Sequence, residues 1–387
     1  MRSGRVFLAK ANSLAFTLIM VLTLFLVMYP SDLSTSAEPL ERPEDVRTIQ
    51  LVFSGIGISD TQISMDGEGR LDLVWVDVRD GNEEIYFLKT ETNGWKLHDD
   101  MRLTVSTDRS IMPTLCPTKG YTTTLAWVEE TITGLHTLMT TTLKYDGGDI
   151  FLIAEPRSIV SDVHLSGCPV LKPSDNGNAY IMWAEGLVDN RSCVRMAEID
   201  PLSNDKPTPQ VVFPNLGSIN YIDFEPLSGS DFIASWNGQY IPDGSTDVNY
   251  GIFFTRFTLG GEVHVQPVRK SITSSDTRPD IDHFDGAISI VFSTRRYAYQ
   301  DVLFTSFDMN GSDIIDDTPI SDLISNNIDP SLSIGQDGTY SVIWSRGSNV
   351  SWTMVCLGLD PTALQSGSII PEILAENTVS PGHPPSQ

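Results

Sequence analysis

One aromatic residue set in the same short apolar run returns six times along the 387-residue chain. The run "LVWVD" around Trp75 comes back as "LAWVE" at Trp127, "IMWAE" at Trp183, "IASWNG" at Trp236, "IVFST" at Phe292 and "VIWSR" at Trp344. Successive spacings are 52, 56, 53, 56 and 52 residues. A period this regular reports one supersecondary unit copied in tandem. Such a unit cannot bury its apolar face alone, so the copies must stack on one another.

Other features keep step with the aromatic. A proline precedes it by 14 residues in Pro113/Trp127, Pro169/Trp183 and Pro330/Trp344, by 13 in Pro279/Phe292 and by 10 in Pro226/Trp236. Turn residues such as Gly67-Glu68-Gly69, Asn176-Gly177, Asp285-Gly286 and Asp337-Gly338 fall between the two, and these residue types tolerate the positive φ of a tight hairpin. A third strand follows, and Asn93-Gly94, Gly147-Gly148, Gly260-Gly261 and Asn310-Gly311 mark its hairpin into a fourth. The strand segments are β-branched and aromatic, with almost no helical spacing. The prediction is an all-β chain, a six-bladed β-propeller of four-stranded antiparallel blades, with inner strands starting near residues 61, 113, 169, 226, 279 and 330. Proline is tolerated there because an innermost strand leaves one edge unpaired. The recurrent aromatic is expected to pack between neighbouring blades.

Charge limits the partners. The chain carries 25 basic against 50 acidic residues, a net charge of -25, which excludes nucleic-acid binding by phosphate neutralisation. Arg2, Arg5 and Lys10 precede an uncharged run from Leu14 to Tyr29, and Thr35, Ser36 and Ala37 follow. This is the layout of an export signal over residues 1–37, or of an uncleaved anchor, which alone would bring the chain to a membrane. Residues 38–45 then read as a linker, 46–375 as the propeller and 376–387 as a disordered tail, in a monomer that is secreted or held at the cell surface. Cys168 and Cys193 fall at the same end of one blade and form the candidate disulfide. One strand lies between them, a gap of about 9 to 10 Å in a regular sheet, and buried free thiols are the alternative.

The stretch "DGEGRLDLVWVDVRDGNEEIYFLKT" followed by "RLTVSTDRSIMPTL" resembles the repeat of exported propellers of the sialidase-like, BNR-repeat-like kind. The resemblance implies the fold and says less about chemistry, since one fold hosts many functions. A sialidase of this kind carries Asp boxes, three arginines around the substrate carboxylate, a tyrosine nucleophile and an acid/base aspartate. No Asp box is present, and "SMDGEG" at Ser64 to Gly69 lies between the first two strands of its unit. Arg109, Arg278 and Arg346 are the arginines offered for a carboxylate. No nucleophile elbow, HExxH or phosphate loop is found.

Two functions from different classes follow: a non-catalytic propeller binding a glycan, peptide or protein through its top-face loops, and a sialidase-like glycoside hydrolase. The candidate ligand-binding residues are acidic. Asp77, Glu129 and Glu185 stand two places after the aromatic, and Asp223, Asp280 and Asp329 stand near the starts of inner strands. Gathered at one mouth, they would favour a basic partner or a cation such as calcium, although no cofactor is required; an acidic chain also carries such residues as ordinary solvated surface. For closure, Val46 to Phe53 is expected to pair beside Trp352 to Leu359, with Ser368 to Leu374 as its competitor.

Overall fold

A computed structural model of the chain describes residues 23–26, 47–50 and 58–379, less 188–190, 242–248, 272, 274, 322–324, 336, 349–350 and 360–371. The described residues form six four-stranded antiparallel sheets, each from consecutive strands, and one two-stranded sheet. Their first strands are Ser59–Met65, Arg109–Thr118, Val170–Pro173, Ile219–Pro226, Thr277–Phe284 and Asn326–Ile334. The second strands, Leu71–Asp77, Thr122–Glu130, Ala179–Gly186, Asp231–Tyr240, Ala287–Thr294 and Tyr340–Ser348, carry the recurrent aromatic. No described helix is long and apolar enough to cross a membrane.

Apolar cores lie between sheets, which is why the repeat can be so short. Trp127 of the second sheet packs with Val74, Val76 and Phe87 of the first. Trp183 joins Ala126, Val128 and Leu138 of the sheet before it, and Trp236 joins Met182 and Val194. Phe292 meets Ile252 and Phe254, and Trp344 meets Val291 and Phe304. Each of these five aromatics thus fills the seam its sheet shares with the preceding one, and Trp75 packs with Leu73 and Tyr86 of its own sheet. Truncating such a buried ring to alanine costs about 3–5 kcal/mol.

Strand register corrects the proline count. In each sheet one first-strand residue pairs opposite the residue before the aromatic: Gln62, Thr114, Val170, Asp223, Asp280 and Ser331. Pro113, Pro169, Pro279 and Pro330 immediately precede it, but Pro226 ends its strand opposite Phe232. Pro226 belongs with Pro117 and Pro173, a second recurring position three residues beyond the paired one, and so it stood closer to its aromatic than the others.

The chain ends differ from expectation as well. The fourth strand of the last sheet is Glu372–Val379, paired with Ser351–Leu359. It overlaps the competing segment and the start of the expected disordered tail. Arg47–Gln50, the core of the segment expected to close the ring, pairs instead with Thr23–Leu26.

Candidate functional site

The second strands end and the first strands begin at one end of the sheets, here the top. There every first strand breaks register. One extra residue is inserted between Ser59 and Gln62, Ile111 and Thr114, Ile219 and Tyr221, Thr277 and Asp280, and Ile328 and Ser331. In the third sheet the break falls between the Leu165 bridge and Val170. Two places before the paired position stand Asp60, Met112, Cys168, Tyr221, Arg278 and Asp329, one per sheet. Four of them are left-handed without being glycine: Asp60 (φ 47°), Met112 (51°), Arg278 (54°) and Asp329 (54°). Backbone held this way costs on the order of 1–3 kcal/mol per residue and concentrates at functional sites.

Residues of all six first strands line a single cavity of about 130 Å³, among them Ser64, Cys116, Lys172, Asp223, Arg278 and Asp329. At its mouth Arg278 pairs with Asp329 at 2.5 Å and lies over the Tyr221 ring, 5.0 Å from its centroid. Burial pushes the Asp60 carboxyl up, against the Met112 backbone N–H and the Arg278 charge. Burial also raises Asp329, which Arg278 partly offsets. The Cys168 thiol is pushed up to about 12, first by burial and then by the Asp60 carboxylate. Asp60, Cys168 and Arg278, from the first, third and fifth sheets, therefore sense one another's charge.

Deeper in the cavity the Lys172 ammonium donates to Glu225 Oε1 at 2.6 Å and lies 3.3 Å from Asp223 Oδ1. Asp223 also accepts the Ile281 N–H at 3.1 Å, and Asp280 accepts that of Leu332 at 3.1 Å. Both bonds run from one sheet to the next, and each satisfies a donor on the open edge of a first strand. Asp280 is held well above the usual carboxylate range by burial and by the neighbouring Asp223. Lys172 thus occupies the place among carboxylates that an external cation would take. Among the described residues no three His, Cys, Asp or Glu side chains come together as a metal site.

The other three predicted acids do not line this cavity. Asp77, Glu129 and Glu185 accept the indole N–H of the Trp two residues earlier, at 3.4, 2.6 and 2.9 Å. Residues i and i+2 share a strand face, so the carboxylate meets the donor that the buried ring would otherwise strand. Asp77 also takes Arg79 at 2.7 Å, Glu129 takes Ser110 at 3.0 Å, and Glu185 takes Arg195 at 2.9 Å. In the sixth sheet Arg346 stands at this position, and Asn327 accepts from Trp344 at 2.9 Å. In the fourth, Trp236 Nε1 is buried without a partner among the described residues. Gly238 cannot be exchanged for an acid there: its φ is +154°, and a Cβ would sit 2.0 Å from the Ser218 carbonyl oxygen.

The predicted arginines do not converge. Arg109 pairs with Glu83 and Glu130 at the surface, and of Arg109, Arg278 and Arg346 only Arg278 lines the cavity. Cys168 and Cys193 are free thiols, which corrects the candidate disulfide. Cys193 pairs with Glu185 on the second strand, so that strand keeps the two cysteines apart.

Beside the mouth, and sharing Cys168 and Tyr221 with it, lies a broader depression of about 810 Å³ between the third and fourth sheets. Ser166, Asn220, Gln239, Leu187 and Arg191 contribute to its walls. No sequence signal pointed to it. Counting from the recurrent aromatic would have found the ring of six.

No protein-family model matches the sequence, and neither does any curated protein. Solved structures do match. An ulvan lyase of a new polysaccharide lyase family, bound to -[GlcA(1-4)Rha3S]-, is 12% identical over 78% of this chain and 79% of its own, with a TM-score of 0.53. The α-L-arabinanase of Penicillium chrysogenum, complexed with arabinobiose, is 11% identical over 73% and 87%, with a TM-score of 0.50. The NanB sialidase from Streptococcus pneumoniae is 8% identical over 77% and 67%, also at 0.50. At these identities the likeness is one of fold, and it bears out the resemblance to sialidase-like β-propellers.

Proposed function

We propose that the six sheets close into a six-bladed β-propeller, exported by its N-terminal segment, whose top mouth binds a glycan without turning it over. One observation carries this reading: all six first strands contribute to one cavity, with Tyr221 and Arg278 at its entrance. A volume of about 130 Å³ is close to the ~150 Å³ cavity that takes benzene, so it admits one edge of a sugar ring, the rest of the residue lying at the mouth. An aromatic face suits the C–H side of a pyranose, and fixed polar groups suit its hydroxyls. The glycan-acting enzymes among the structural neighbours support the same ligand class.

Hydrolysis is the second reading, favoured by the raised carboxyls of Asp60 and Asp329, which suit a general acid. The missing arginine cluster weighs against a sialidase. The test is a glycan array followed by calorimetry on the full chain and on Tyr221→Ala, with chromogenic glycosides run beside it. Saccharide binding weakened about tenfold or more by Tyr221→Ala, without turnover, is the expected result. Turnover lost in Asp60→Asn would establish the hydrolase, and retention of no saccharide would end the glycan reading.

A further inference from the structure

The depression beside the mouth differs in charge from the rest of this acidic chain. Among the described residues that line it, Arg191 alone is charged. The other polar side chains on its wall are hydroxyls and amides, those of Ser166, Asn220 and Gln239 among them. Several arginines around the top are paired, Arg79 with Asp77, Arg195 with Glu185, Arg278 with Asp329 and Arg296 with Asp276, whereas the exposed Arg295 of the fifth sheet, like Arg191, is not. Arg191 is exposed, and no carboxylate among the described residues pairs with it.

The walls are built from backbone and hold their shape. Ser166 N–H donates to the Ala184 carbonyl at 2.8 Å, Gly186 to that of His164 at 2.7 Å, and Gln239 to that of Ser218 at 2.7 Å. Gly167 lies so close to Asn220 that a Cβ would come within 2.2 Å of its carbonyl oxygen, which fixes the third sheet against the fourth. A preformed wall with neutral donors and acceptors, an aromatic edge at Tyr221 and one free guanidinium is a recognition surface for a sugar bearing an anion.

Resting on the glycan reading of the mouth, we infer that the depression is a subsite for a uronic acid residue of the same oligosaccharide, with Arg191 holding its carboxylate. The guanidinium fork matches a carboxylate's two oxygens, whereas a neutral sugar leaves it in water. The net charge of -25 does not oppose this. Screening acts over about 8 Å at physiological salt, so the groups lining the depression set the field that a bound residue meets.

The test is calorimetry on the full chain with tetrasaccharides of alternating glucuronate and neutral sugar, and with the same molecules after carboxyl reduction. The expected preference for the uronate form is about fivefold to tenfold, abolished by Arg191→Ala, partly kept by Arg191→Lys, and diminished by salt. Affinity for the reduced form stays unchanged in Arg191→Ala, and equal thermal melting confirms that this exposed substitution leaves the fold intact. Equal binding of both forms, or a preference untouched by Arg191→Ala, overturns the uronate subsite while glycan binding stands. Binding of neither form overturns the glycan reading and the subsite with it.

Discussion

Two sets of carboxylates look alike in the sequence and are held differently in the fold. Asp77, Glu129 and Glu185 end second strands in the first three sheets, and each answers a local donor, the indole two residues before it. Asp223, Glu225 and Asp280 lie on first strands of the fourth and fifth sheets, gathered around the Lys172 of the third. The first set is local and can be lost one sheet at a time, as the fourth sheet shows with Gly238 and an unpartnered Trp236. The second is collective: Lys172 offsets the charges of Asp223 and Glu225, while Asp223 and burial push Asp280 toward its protonated form. A carboxylate at the top of a sheet is therefore evidence of a ligand only after the donors inside the protein have been counted.

Removing the cation should separate the two sets most sharply. Lys172→Met leaves the buried Asp223 and Glu225 without their counter-charge, and breaking a buried pair in this way costs about 3–5 kcal/mol. Urea denaturation of the full chain measures it. Adding Asp223→Asn and Glu225→Gln to Lys172→Met should recover most of the loss, because the stranded charges go with the cation. A loss under about 1 kcal/mol for Lys172→Met alone would mean that the cluster is not collective.

That cluster was only half legible in the sequence, for a physical reason. The period of the aromatic gave the six sheets, because a buried ring in each of five successive seams is a strong and repeated constraint. The ring at the mouth did not repeat as a letter: Asp60, Met112, Cys168, Tyr221, Arg278 and Asp329 share a backbone position and no chemistry. Counting prolines misplaced the fourth sheet, since Pro226 keeps the register of Pro117 and Pro173. Closure was illegible because Val46 to Phe53 and the stretch leading into Glu372–Val379 carry similar strand patterns, and only pairing distinguishes them.

A smaller effect is expected from the local set. Glu185→Ala strands the Trp183 indole N–H in the seam and frees Arg195, a loss of about 1–3 kcal/mol. The double-mutant cycle with Trp183→Phe should give a coupling of about 1 kcal/mol or more, because phenylalanine has no donor to strand. Trp236→Phe supplies the control. Its indole already lacks a partner, so it should be cheaper than Trp183→Phe by about 1 kcal/mol at similar burial. Equal losses for the two tryptophans would show that the carboxylate contributes nothing to holding the ring.

The least effect, and the one that reads the collective set by itself, is a change in pH dependence. Asp280 has a folded pKa raised above its ordinary 3.8 by burial and by Asp223, so the native state holds a proton that the unfolded chain releases. Stability from this group is then fully present below about pH 4 and declines as pH rises toward the folded pKa. Asp280→Asn imitates the protonated side chain, still accepts from Leu332, and cannot ionise. Its stability relative to wild type should therefore improve as pH rises above about 4 and level off once the folded pKa is passed, by chemical denaturation at each pH. A flat difference as pH rises above about 4 would remove Asp280 from the proton-holding cluster around Lys172.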